Sequence, residues 1–257
     1  MMIATTLALG WRLALYAGAG VLGGIANGVA GGGTFITFPT LLATGIPALQ
    51  ANVSSTVGVV PSYFGGIRGF WHHIVAHRAL VTRLLGPCLV GTLVGCALLL
   101  RGSPSTFEHV VPWLIGAATV LFALAPRITT RLEHVRHDHA ARRWTLYLGV
   151  FATSVYGGYF GAGLGIMLLA LTAVTLPASI AELQGLRAVL SLIINVVAAG
   201  VFLARGHLAL DAVYPLLVGT LVGGWIGTVL IQHLPASWVR GLVILAGAAT
   251  TVRLLVH

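Results

Sequence analysis

Residues 181 to 204 read AELQGLRAVLSLIINVVAAGVFLA, an apolar run holding one arginine, Arg187, about two helical turns from its start, with Asn195 deeper in. An ionisable side chain inside so apolar a stretch is costly and marks a functional position. The chemistry it suggests is the binding of an anion. A small oxyanion taken out of water needs several N–H and O–H donors and one compensating positive charge. Arg187 would supply the charge. Polar side chains gather at Gln50, Asn52, Ser54, Ser55 and Thr56, and again at Glu182 and Gln184. Three roles are open to Arg187: a substrate partner, a long side chain snorkelling to the membrane surface, or the ion-pair partner of Glu182. For Asn195, helix packing through its amide is the alternative to substrate contact. Glu182 is the candidate proton-coupling group. Asp211, at the start of a helix, reads as a cap, and no sodium site is legible.

Positioning such residues requires an unusual backbone. Residues 28 to 47, GVAGGGTFITFPTLLATGIP, and 158 to 177, GYFGAGLGIMLLALTAVTLP, both place a glycine cluster inside a hydrophobic stretch and end on a proline. Each glycine costs a helix interior about 1 kcal/mol relative to alanine. The first segment of each half together with its following arm is about 35 residues, which as one straight helix would span roughly 50 Å against ~30 Å of hydrocarbon. The helix must break at the glycines. Broken helices at membrane depth are tolerated where protein buries them or a polar cavity receives them. Half-helices starting at Thr34 and Leu164 would aim N–H groups and a positive dipole end at that cavity. The candidate substrate-binding residues are therefore Gly31, Gly32, Gly33, Thr34, Asn52, Ser54, Ser55, Gly161, Gly163, Leu164, Gln184, Arg187 and Asn195, with Glu182 for coupling. Close helix packing by small residues is the competing explanation of the glycines.

Composition fixes the class. The chain has 257 residues, 58% hydrophobic and 7% charged, with a net charge of +9 and a mean hydropathy of +0.99. No soluble domain of this size could cover so much apolar surface, so an integral, multi-pass protein of the inner (plasma) membrane is expected. The opening MMIATTLALGW has no basic flank and reads as the start of the first membrane helix. All 14 basic residues are arginines, scattered through connectors and never interleaved with aromatics, which argues against nucleic acid. Arg68, Arg78 and Arg83 flank WHHIVAHRAL, and the stretch 126–143 carries five more, so both connectors are expected on the cytoplasmic side. Cys88 and Cys96 lie too far apart on one helix for a disulfide. The His73 and His77 pair lacks a third ligand, and His134, His137 and His139 fall in the connector, so no metal, cofactor or catalytic step is expected. The partners are a small anion and the bilayer, and a homodimer is compatible with the sequence.

The chain also repeats itself. Gly91–Gly95 and Gly219–Gly223 both read GTLVG, 128 residues apart; Gly116–Thr119 and Gly247–Thr250 both read GAAT, 131 apart; the glycine breaks lie 130 apart. We expect an all-α, polytopic fold of two homologous four-segment repeats, residues 1–125 and 144–257, joined by an arginine-rich linker at 126–143. The segments are placed at 8–30 with arm 34–44, 49–71, 79–100 and 107–125, then 144–163 with arm 166–176, 181–204, 209–231 and 237–255. The offset sets Asn52 opposite Glu182 and Ser54 opposite Gln184. Arms that return to their side of entry would make the repeats inverted; arms that complete the crossing would make them parallel.

These features resemble the TauE/SafE family of sulfite and organosulfonate exporters. GGIANGVAGGGTFITFPTLLATGIPALQANVSST is similar to that family's glycine-rich first segment, proline-ended arm and polar start of the next helix, and the second half repeats the pattern more loosely, with GAGLG where the first has GGG. The resemblance covers nearly the whole chain. It implies a carrier, with no enzymatic step, that moves a sulfur-containing anion such as sulfite, thiosulfate or a sulfonate, usually outward. A carboxylate would suit the same donors.

Overall fold

A computed structural model describes residues 2–132, 139–230 and 236–256. Every regular element among them is an α-helix. The first half contains α1 (Met2–Ala30), α2 (Thr34–Ala43), α3 (Ala48–Val59), α4 (Ser62–Gly69), α5 (Trp71–Ala76), α6 (Arg78–Arg101) and α7 (Pro104–Leu132). The second contains α8 (His139–Tyr159), α9 (Leu164–Thr175), α10 (Ile180–Arg205), α11 (Leu210–Leu230) and α12 (Ala236–Val256). Four of these, α6, α10, α7 as far as Leu124 and α11 as far as Val229, are long and apolar enough to cross a bilayer.

Both broken helices form hairpins. α2 turns back along α1, with Thr37 against Gly23 and the Tyr16 hydroxyl donating to Thr44 Oγ1 at 2.9 Å. α9 turns back along α8, with Leu164 against Gly157 and Leu171 against Gly149. The turns need a left-handed backbone, which Gly31 (φ +73°), Gly161 (φ +78°) and Gly163 (φ +74°) provide. Both arms therefore return toward the side from which their helices came, the first of the two arrangements the sequence allows.

Two expectations change. The segment 49–71 is not one helix. Pro61 has no N–H to donate, and the chain tightens there into i→i+3 bonds from Tyr63 to Val60 and from Phe64 to Pro61 before α4 begins. The WHHIVAHRAL stretch, read as a connector, is mostly helical: Trp71–Ala76 forms the short helix α5 and Arg78 already opens α6. The linker's described parts are also helical, as α7 runs to Leu132 and α8 starts at His139; His134 and His137 lie outside the described residues.

The repeated motifs have packing roles. Gly91 and Gly95 of α6 lie against the carbonyl oxygens of Phe151 and Val155 in α8, and Gly219 and Gly223 of α11 lie against those of Ala17 and Val21 in α1. Lacking a Cβ, they let the backbones touch, which in a membrane substitutes for the missing hydrophobic drive. Pro87 and Pro215 each stand four residues before their GTLVG, inside α6 and α11. The GAAT motifs face one another: Gly116 of α7 packs on Thr251 of α12, and Gly247 of α12 on Thr119 of α7. Below the first hairpin a phenylalanine cluster fills the core. Phe35 meets Phe122 edge-on at 5.7 Å between centroids, Phe38 meets Phe160 at 5.3 Å, and Phe107 completes it.

Candidate functional site

The tips of the two hairpins touch through Gly31 and Gly165, and beside that contact lies Arg187. Its side chain enters from α10 and is only 3% exposed. Nη2 donates to the carbonyl oxygen of Gly28 at 3.1 Å, near the C-terminal end of α1, where the unpaired carbonyls of a helix carry partial negative charge. Nε and Nη1 are buried without a hydrogen-bond partner. A buried guanidinium with two unused donors is unusual, because each unmet polar group costs desolvation energy that nothing returns.

Arg187 opens on a small cavity shared with Asn27 and Gly31 around the end of α1, Ser62 and Tyr63 of α4, and Ser191 of α10. Its volume is about 10 Å³, the space of a single water-sized sphere. Ser191 is 1% exposed and its Oγ also has no partner. The others are held in place: Asn27 Nδ2 donates to Ser62 Oγ at 2.7 Å, Ser62 donates to the Val59 carbonyl, and Asn195 Nδ2 donates to the Tyr63 hydroxyl at 3.0 Å and to the Ser191 carbonyl at 2.9 Å. Arg187, Ser191 and Asn195 recur every four residues and so share one face of α10.

Two of the three roles open to Arg187 now fall away. Burial rules out snorkelling. Glu182 does not reach it: its carboxylate accepts from the backbone N–H and the hydroxyl of Ser179 at 2.6 and 2.8 Å in a capping box, with Oε1 3.7 Å from His77 Nε2.

The remaining expected residues divide. Gly31, Arg187 and, through Tyr63, Asn195 converge. The polar side chains of α3 do not meet Glu182 and Gln184; Thr56 bonds within α3 to the Asn52 carbonyl, and three others tie down different elements. Asn52 Nδ2 donates to the Tyr159 carbonyl at the end of α8 at 3.0 Å, Ser54 accepts from the Ala209 N–H ahead of α11 at 2.9 Å, and Ser55 shares a 2.6 Å bond with Thr37 of α2. The offset marked corresponding positions, and corresponding positions need not be neighbours. Gly32 packs toward Phe122 and Val243, Gly33 toward Gly23 and Asn27, and Gly163 toward Phe35 and Ala118. Thr34 is buried at the start of α2, whose N-terminus has no side-chain cap. Gly161 serves the turn, and Leu164 belongs to an apolar cluster with Leu168, Leu190 and Ile194. Gln184 has a buried, unpaired Oε1 but does not line the cavity. Among the described residues no three His, Cys, Asp or Glu side chains come together as a metal site.

Asn27, Ser62, Tyr63 and Ser191 were missed. Ser191 was findable from the four-residue spacing between Arg187 and Asn195, and Asn27 as the one polar residue in GGIANGVAGGG.

A pair of helix hairpins meeting tip to tip beside a buried arginine is the framework on which the comparisons bear. The family described as Sulfite exporter TauE/SafE matches residues 16–254. The chain belongs to the TauE/SafE family. Among relatives, it is 24% identical over 246 residues to a "Probable membrane transporter protein" of Haemophilus influenzae, covering 91% of each chain. It is 26% identical over 243 residues to the "Probable membrane transporter protein ORF9" of a Sinorhizobium species, with 92% of this chain and 90% of the relative covered. It is 22% identical over 239 residues to the "Probable membrane transporter protein YfcA" of Escherichia coli K12, with 91% and 86% covered. No solved structure matched the chain. This TauE/SafE protein is a membrane transporter.

Proposed function

We propose that the protein exports a small sulfur-containing oxyanion across the plasma membrane, and that the substrate's oxygens are held at Arg187 between two inverted repeats, residues 1–125 and 144–257. The observation that carries this reading is the pair of donor atoms on Arg187, Nε and Nη1, buried without partners as Ser191 Oγ is, in two residues that line a cavity between elements of both halves. An anion would bring the charge and the acceptors that the protein leaves out. The reciprocal packing supports the duplication, since α6 lies on α8 as α11 lies on α1, and α7 pairs with α12.

The cavity has to widen to admit such a substrate. Its wall between α4 and α10 is built for that, because Gly66 faces Ala188 across a seam of small side chains. Parting these helices breaks the bond from Asn195 to the Tyr63 hydroxyl.

Proteoliposomes test the proposal. Sulfite or a small sulfonate such as ethanesulfonate should cross in preference to chloride or a neutral amino acid. Arg187→Ala should weaken binding by roughly 2 to 5 kcal/mol, and Arg187→Lys should recover only part, since an ammonium lacks the planar fork. Flux of cations or neutral solutes alone, or unchanged affinity in Arg187→Ala, refutes it. Preference for a carboxylate would keep the site and change the substrate.

A further inference from the structure

We propose that the site accepts an oxyanion carrying one negative charge and rejects one carrying two, so that the exported species is a sulfonate or the hydrogen sulfite ion and not thiosulfate or the sulfite dianion. This rests on the reading of the Arg187 cavity as the substrate site and narrows it.

The charge balance is the argument. Arg187 is the one formally charged side chain among the described residues that line the cavity; the others are neutral amides, hydroxyls and backbone. One of its N–H groups is already engaged with Gly28 at the partly negative end of α1, so the unbalanced positive charge it offers is at most one unit. A monoanion neutralises it. A dianion would leave a full negative charge in an apolar interior, where an unpaired ion is strongly disfavoured.

The donors match as well. Arg187 Nε, Arg187 Nη1 and Ser191 Oγ are the buried atoms at the cavity left without partners. Between them these atoms carry four hydrogens, enough to give each of the three oxygens of a sulfonate head a donor. A doubly charged head would need more donors, or a second cation, to offset the greater loss of hydration.

The test uses the full-length protein in nanodiscs and two probes with similar heads. Ethanesulfonate is singly charged throughout, whereas ethyl phosphate takes its second charge near ~6. Affinity for each is measured from about pH 5 to about pH 8. Ethanesulfonate binding should stay level, and it reports any titration of the protein itself, whether of Tyr63 in the cavity wall or of His73, His77 and Glu182 near the start of α10. Relative to it, ethyl phosphate should weaken about tenfold per pH unit once the dianion prevails. Ethyl phosphate that holds or gains affinity against ethanesulfonate overturns the proposal. A second arm does not depend on the phosphate. Thiosulfate, doubly charged across this range, should fail to displace ethanesulfonate, and displacement at comparable concentrations also overturns the proposal. If ethanesulfonate fails to bind, or binds Arg187→Lys and Arg187→Ala as tightly as the parent, the substrate site itself is misassigned and this inference falls with it.

Discussion

Gly31 and Gly165 meet backbone to backbone: a Cβ on Gly31 would lie 2.6 Å from the Gly165 Cα, and a Cβ on Gly165 would lie 2.7 Å from the Gly31 Cα. One glycine begins the turn out of α1 and the other lies in the first turn of α9, so this contact joins the two hairpins. The guanidinium lies against it, since the same Cβ on Gly31 would lie 3.0 Å from Arg187 Nη1.

Gly165→Ala is the clean probe of that contact, because Gly165 has an ordinary helical φ and only space is at issue. The methyl has backbone on its far side and nothing flexible to displace. Overpacking of this kind costs roughly 1 to 3 kcal/mol. The expected outcome is a lowered unfolding temperature together with lost anion flux. Parent-level flux in Gly165→Ala would show that the hairpin tips do not have to touch.

Asn52 and Ser191 should separate structure from binding. Asn52→Ala leaves the Tyr159 carbonyl at the end of α8 without its donor, at about 1 kcal/mol, the low side because the unpaired Oδ1 leaves with it. Stability should fall while anion affinity holds. Ser191 Oγ has no partner to lose, so Ser191→Ala should keep its melting temperature and lose roughly 0.5 to 1.5 kcal/mol of anion binding. Thermal unfolding and binding titrations on both variants check this, and the reverse pattern would move the site away from α10.

Glu182→Gln tests the coupling role. Glutamine keeps an acceptor for the Ser179 N–H, as capping boxes allow, and removes the charge facing His77. Flux and its pH profile should match the parent if the side chain is a cap. A profile flattened in Glu182→Gln alone would restore Glu182 as the proton-coupling group.

How far could the residues alone lead? The helix breaks were legible because segment length and glycine clusters agree on one location, and Arg187 stood out as an ionisable side chain well inside an apolar run, although snorkelling and an ion pair with Glu182 stayed open until its burial was seen. The partners of Arg187 were not. Gly28, Asn27, Ser62 and Tyr63 come to it from more than a hundred residues away, and no local period encodes which of many small polar side chains turns inward. Ser62 and Tyr63 also depended on reading Pro61 as a helix break, and in a hydrophobic run a lone proline competes with Pro39, Pro87 and Pro215, which sit inside helices. The supposed facing of Asn52 and Glu182 failed for a geometric reason. Equal places in two repeats need not touch: Asn52 is bonded to the Tyr159 carbonyl at the end of α8, while Glu182 caps the start of α10 beside His77.

The bond from Arg187 to Gly28 spans 159 residues, and Asn52 reaches 107 residues forward to Tyr159. At a synthesis rate of ~5 to 20 residues per second, the end of α1 waits roughly 8 to 32 s for its arginine after Gly28 is made. During that interval the first hairpin sits in the bilayer with a carbonyl end that its own half cannot satisfy, and Asn52 has no helix end to hold. The nascent first half therefore carries, until residue 187 is made, a helix end whose side-chain partner lies in the second half.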